Sequence, residues 1–309
     1  MIKRSICLLA CVSLVFLVSI IEWDNWFGNP NMTRRADGSL SKGIPLQTIR
    51  LSRRAKHSYK LPLRSEAALV LDTKKGEVLF EKNMEQKLPV ASLTKLMSAL
   101  VFLDTRPHLD DTLTMTVFDA DCVGTSEIKV GETVTLRDLL HASLISSSNR
   151  ATKALVRASG LPPSLFTARM NRKAKELGLE NTFFCEPTGL DKENISTALD
   201  CAKLLYFAAR DSAVASILGK TAYKFVSLDG GRRKHRIQSA NGLLFSSFEV
   251  KGGKTGYIRA SGWCLGALLQ DEDGKEVAAV ILGAPSKHTR LEEIRSIVEW
   301  SVEKNRRRS

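Results

Sequence analysis

At 309 residues the chain is long enough for one large domain or two modest ones, with a substantial hydrophobic core in either case. Its formal net charge of +13 suggests a nucleic-acid partner until the charge is divided along the sequence. Residues 1–24 net zero, 25–64 net +8, 65–303 net about +1 and 304–309 net +4, so the basicity sits at the ends and implies no nucleic-acid surface.

The chain opens with Lys3 and Arg4, followed by an uncharged apolar run from Ser5 to Ile21. That run is at the short end of what spans a bilayer, and the leading cations favour a cytoplasmic amino terminus, so the remainder is expected to be exported. No small-x-small pair follows at Ile20-Ile21-Glu22-Trp23, which favours a retained membrane anchor over 1–24, with a cleaved signal peptide as the alternative. Leu8-Leu9-Ala10-Cys11 is only superficially a lipid-attachment box, because the apolar stretch continues past Cys11. Residues 25–64 mix Gly, Pro, Asn, Ser and Arg without a period and read as a basic linker. This tether and the basic tail 304–309 suit an anionic membrane surface or wall polymer, or form solvated segments.

From Ala67 the pattern becomes that of a folded domain, 65–303. "AALVLDTKKGEVLFEKN" is two apolar runs around Lys74-Lys75-Gly76, a hairpin. Ser92 to Thr105 spaces Leu93, Leu96, Met97, Leu100 and Val101 as an amphipathic helix. Thr135-Leu136-Arg137-Asp138 is a capping-box helix start with Val134 and Leu139 as a staple, and that helix breaks at Ser146-Ser147-Ser148-Asn149. Helical patterns follow over "RATKALVRAS" up to Gly160, over Ser164 to Leu177 and over Thr197 to Arg210. The last third changes to strands: a hairpin about Gly230-Gly231, three runs over "KGGKTGYI" and "GWCLGALLQDEDGKEVAAVILGA", and a closing helix from Leu291 to Val302. Two strands before the helices and several after imply an α+β fold, one antiparallel sheet flanked by helices, with neither repeat nor second domain.

Three constellations carry chemistry. Ser-x-x-Lys occurs four times, at Ser39, Ser92, Ser126 and Ser301, but only Ser92 opens an apolar helix. There Lys95 shares a face with Ser92; in an apolar site its ammonium loses hydration and becomes a base able to deprotonate the serine. Alone, this pair is better explained by a helix cap and a solvent-facing lysine. Ser147-Ser148-Asn149 offers a hydroxyl for proton relay and an amide for a peptide carbonyl, or an ordinary capping junction; Ser239-Ala240-Asn241 reads as a turn. Lys254-Thr255-Gly256, after Gly252-Gly253 at a strand entry, pairs a fixed cation with a hydroxyl, a combination suited to a carboxylate.

In this order the three motifs resemble those of the penicillin-binding, serine-type D-alanyl-D-alanine peptidases, over about Ser65 to Trp300. Segments such as "LLHASLISSSNRATKAL" and "AKELGLENTFFCEPTGLD" are also similar to family segments, and Ser147 to Ala151 with Glu186 to Leu190 look most like the periplasmic endopeptidase branch. Carboxypeptidases of the family usually carry an acidic residue where Arg150 stands, and continue into a β-rich domain and a membrane helix. The resemblance implies a β-lactamase/transpeptidase-like fold and an exported enzyme on peptidoglycan stem peptides, with β-lactams as covalent inhibitors and no metal or cofactor. Site roles carried over are Ser92 as nucleophile, Lys95 as general base, Ser147 as proton relay and Asn149 as substrate ligand. Lys254 and Thr255, in one motif with Gly256, would hold a carboxylate, and the amides of Ser92 and Tyr257 would form an oxyanion hole.

Three other functions stay open. A class A β-lactamase needs a carboxylate in a Glu-x-x-Leu-Asn context, which Glu176, Glu180 and Glu186 do not provide. A membrane-anchored penicillin sensor or a non-catalytic wall-binding protein would share the motifs without turnover. Cys122, Cys185, Cys201 and Cys264 lack metal-site spacing and could be bridged or free. The run Arg232-Arg233-Lys234-His235-Arg236 reads as a solvated turn, or as an attractor of acidic stems.

Overall fold

The computed structural model describes residues 61–124, 127–270 and 274–306, with side chains to residue 302, and two short strands nearer the amino terminus. Those strands, β1 (Met32–Arg34) and β2 (Leu40–Lys42), pair antiparallel within the segment read as linker, in a compact unit, Met1–Pro45, distinct from the unit Leu46–Ser309. The expected anchor lies outside the described residues; among these, no helix is long and apolar enough to cross a membrane.

In the main unit the hairpin about Lys74-Lys75-Gly76 is β3 (Ala67–Asp72) and β4 (Glu77–Lys82). A two-residue strand, β5 (Leu88–Pro89), leads into a 3₁₀ turn at Ala91–Leu93 and then α1 (Thr94–Asp104). Next come β6 (Thr112–Thr114), a single turn α2 (Val117–Ala120), β7 (Thr133–Thr135), α3 (Leu136–Leu144), α4 (Asn149–Ala158) and α5 (Pro163–Glu176). They are followed by β8 (Ile195–Ser196), α6 (Ala198–Ala208), α7 (Ser212–Leu218) and a hairpin of β9 (Ala222–Val226) and β10 (Lys234–Gln238). The chain closes with β11 (Glu249–Ile258), β12 (Gly262–Gln270), β13 (Glu276–Ala284) and α8 (Lys287–Arg306), the last extending into the segment read as a tail.

The central sheet has the order β11-β12-β13-β3-β4, antiparallel throughout. Because successive strand residues point to opposite faces, β13 sends Val277, Ala279 and Ile281 one way and Ala278, Val280 and Leu282 the other. The first set packs with Val70 and with Ile294, Ile297 and Val298 of α8. The second joins Leu69, Leu71 and the helices α1 and α6. With helices on both faces, β3 and β13 need no polar side, which is why their sequences are continuous apolar runs.

α1 departs from its expected amphipathic form. Every residue from Thr94 to Phe102 is buried, Lys95 and Ser98 included, so α1 runs through the core. The caps follow the sequence: Thr135 Oγ1 accepts from the Asp138 amide while the Asp138 carboxylate accepts from the Thr135 amide, and Thr197 Oγ1 accepts from the Asp200 amide. The packed body also begins earlier than Ser65. Leu61 and Leu63 pack against the α8 side of the sheet, and the Arg64 and Ser65 amides donate to the Glu293 carboxylate at 2.5 and 3.1 Å.

Candidate active site

The 3₁₀ turn preceding α1 is tight enough to hold Ala91 at φ +48°. It leaves Ser92 half-buried and Lys95, one helical turn on, fully buried. Lys95 Nζ lies 2.9 Å from Ser92 Oγ, 2.7 Å from Asn149 Oδ1 and 2.5 Å from the Thr188 carbonyl. Asn149 Nδ2 donates to the Val123 carbonyl at 2.7 Å, which fixes the amide so that its oxygen faces the lysine. Burial pulls the Lys95 pKa down to about 7, partly opposed by the charge of Glu186 and by Cys122.

At the junction of α3 and α4, Ser147 sits in the left-handed region at φ +62°, a conformation costly for a residue with a side chain. Ser148 caps α4 by accepting from the Ala151 amide, and Asn149 is its first helical residue. The strain at Ser147 therefore divides three consecutive polar residues between two jobs. Ser148 holds the helix, while Ser147 and Asn149 reach the lysines.

Lys254 lies on β11, at the edge of the sheet, and is as buried as Lys95. Its Nζ donates to Ser147 Oγ at 2.8 Å and to the Thr255 carbonyl at 3.1 Å. Burial, then the charges of Lys95 and Arg290, push its pKa well below the lysine norm. Gly256 brings this strand against the Ser92 turn: a Cβ there would lie 3.0 Å from both the Ser92 nitrogen and the Val90 carbonyl oxygen. Thr255 is buried, whereas Tyr257 is half exposed and stacks on Trp263 at 4.2 Å. Thus Ser92, Lys95 and Asn149 form one hydrogen-bonded group and Ser147 with Lys254 another. The remaining Ser-x-x-Lys serine in the described residues, Ser301, bonds its own helix at the Ile297 carbonyl.

Two further residues lie near the site although the three motifs assign them no part in it. Arg290, near the start of α8, is 3 % exposed, donates to the Cys264 carbonyl and lies over the Trp263 ring; burial lowers its pKa to about 10. No spacing rule links it to Lys254, and only the sheet and α8 bring the charges near. Glu186 sits in the loop that presents the Thr188 carbonyl, and its carboxylate accepts from Thr188, Gly189 and Leu190 amides. The four cysteines left open are free thiols.

Residues 54–286 match the model of the D-alanyl-D-alanine carboxypeptidase peptidase family. The chain belongs to this family. It is thus a serine-type D-Ala-D-Ala carboxypeptidase/endopeptidase-family hydrolase, with the α+β fold expected. It is 33 % identical to a D-alanyl-D-alanine endopeptidase of Pseudomonas aeruginosa, over 78 % of this chain and 79 % of that one. With the Escherichia coli D-alanyl-D-alanine endopeptidase the figures are 30 %, 76 % and 76 %. Among solved structures, the Streptomyces K15 DD-transpeptidase superposes with a TM-score of 0.73 at 25 % identity, covering 78 % of this chain and 98 % of that one.

Proposed function

We propose that this protein cleaves D-alanyl bonds of peptidoglycan stem peptides through an acyl-enzyme on Ser92, that penicillin traps the same serine, and that cross-links are its preferred substrate. The observation that carries the reading is the set of partners around Lys95 Nζ. An ammonium has three hydrogens for three partners. Asn149 Oδ1 and the Thr188 carbonyl can only accept, so after loss of one proton the two remaining hydrogens stay on them and the lone pair points at the Ser92 hydroxyl. A pKa of about 7 makes that neutral form abundant at neutral pH.

The steps then follow. Lys95 takes the Ser92 proton as Oγ attacks the carbonyl carbon, and the amides of Ser92 and Tyr257 receive the oxyanion. The carbon–nitrogen bond breaks as the Ser147 hydroxyl passes a proton to the departing amine and is resupplied from Lys254; the proton that Lys95 took from Ser92 then replaces the one Lys254 gave, so both lysines end acylation as they began. Water then hydrolyses the ester, returning the hydroxyl to Ser92. Asn149 aligns the substrate backbone; Lys254 and Thr255, beside Gly256, hold the carboxylate or its cross-link equivalent, with Arg290 adding positive charge behind them.

Preference for cross-links draws on the endopeptidase names of the relatives and on Arg150, which follows Asn149 where an acidic residue was expected of a carboxypeptidase. Action outside the cytoplasm, with 1–24 as anchor and the chain from 25 up to the packed Leu61 as tether, belongs to the same reading. The test is intact-protein mass after benzylpenicillin, followed by digestion of cross-linked and uncross-linked wall peptides. A single adduct absent from Ser92→Ala, with faster cleavage of cross-linked dimers, is the expected result. Drug destruction without an adduct would replace this reading with a β-lactamase, and an adduct without turnover of either peptide would make the protein a sensor or wall binder.

A further inference from the structure

Glu186 lies outside the three motifs, yet its carboxylate organises the loop behind Lys95. Oε2 accepts from the Thr188 amide and the Thr188 hydroxyl, both at 2.6 Å. Oε1 accepts from the amides of Gly189 at 2.5 Å and Leu190 at 2.8 Å, and from Asn194 Nδ2 at 2.9 Å. No Lys, Arg or His forms an ion pair with it among the described residues. With both oxygens occupied inside its own loop, Glu186 is no open base for water.

The peptide units it grips are the ones α1 touches. The unit joining Thr188 to Gly189 donates its N–H to Glu186 Oε1 and offers its C=O to Lys95 Nζ. The preceding unit donates the Thr188 N–H to Oε2, while its C=O, from Pro187, accepts from Ser98 Oγ at 2.6 Å. Two consecutive peptide dipoles are thus aligned between a carboxylate and side chains of α1. Asn194, fully buried, ties the same loop to Thr94 Oγ1 at 3.3 Å and to the Glu186 carbonyl at 2.9 Å. Each dipole is polarised by the charge behind it, which strengthens its bond to the group in front.

We infer that Glu186 is the remote counter-charge and positioning residue for the Lys95 base, acting through the Thr188–Gly189 peptide rather than by direct contact. The inference rests on the acyl-enzyme reading, in which Lys95 activates Ser92. The charged and titratable groups acting on Lys95 are Glu186 and Cys122, which favour its proton; Lys254 on β11 in turn feels the charge of Lys95. Removing the Glu186 charge lowers the proton affinity of Lys95 further. It also loosens the acceptor that orients the lone pair.

The test compares wild type, Ser92→Ala, Glu186→Gln and Glu186→Asp by two readouts: acylation rate by benzylpenicillin across pH, and the Lys95 side-chain titration followed by carbon-13 NMR. For Glu186→Gln the expected result is a maximal rate down about tenfold or more and a rising limb and NMR midpoint moved to lower pH by about half a unit or more. Glu186→Asp, which keeps the charge on a shorter stem, should keep the midpoint and lose rate. An unshifted midpoint in a folded Glu186→Gln protein would overturn the counter-charge role, whatever the rate. Should that variant not fold, a wild-type rate in Glu186→Asp would overturn the positioning role. No adduct in the wild type would instead refute the acyl-enzyme reading, while the NMR midpoint would still judge Glu186.

Discussion

Lys95 and Lys254 are both cut off from water, and Lys254 also feels the charge of Lys95, so both bind protons weakly. For a base the sign is simple. In the proposed base role, Lys95 below pH 7 would hold its proton and leave Ser92 unactivated; as pH rises through about 7 the neutral amine would form and acylation would accelerate. The benzylpenicillin acylation rate measured between about pH 5 and pH 9 should therefore rise through neutrality; a flat profile would remove Lys95 from the base role. Lys95→Arg keeps the charge but cannot release a proton, and should acylate slower by roughly 10²–10⁴-fold. This pair was legible because three-residue spacing is a local property of a helix. Arg290 was not, since its approach to Lys254 depends on strand order and on where α8 begins.

The turn that carries Ser92 is held from two sides by glycines. Gly189, at φ +83°, lies so close that a Cβ would stand 2.0 Å from the Ala91 carbonyl oxygen and 2.9 Å from the Ser92 nitrogen. Gly189→Ala combines that clash with a disfavoured backbone, so it should destabilise the fold by more than about 1 kcal/mol and slow acylation, as thermal unfolding and adduct formation would record. The helices and long strands were readable from periodicity and caps. β5 and β8 were not, because strands of two residues have no period to detect. α7 was missed although Asp211 caps it by accepting from the Ala213 and Val214 amides, a signal hidden in a short polar stretch. α1 was recognised as a helix but misread as one-sided, because its small and hydroxyl residues look like a solvent face until both neighbours are known.

Covering both faces of the central sheet makes the main unit depend on its first and last segments together. α8 supplies Ile294, Ile297 and Val298 to one face, and Leu61 and Leu63 close against the same layer. A protein beginning at Leu61 should therefore melt several degrees above one beginning at Ala67, which loses both leucines and the amides bound to Glu293. Equal melting temperatures would return residues 61–64 to the linker. Ile297→Ala should cost about 2–5 kcal/mol while leaving the acylation rate of the folded fraction unchanged, since α8 packs behind the sheet there. The sheet order itself was not readable, because the pairing of β13 with β3 joins segments some 200 residues apart. Burial of α1 on every side from Thr94 to Phe102 has a consequence for how this enzyme fails: the backbone amides of that stretch have no route to solvent short of opening the core. Their hydrogen exchange should be among the slowest in the chain, and heat should silence Ser92 only when the whole body unfolds, with no earlier stage at which the site alone has melted.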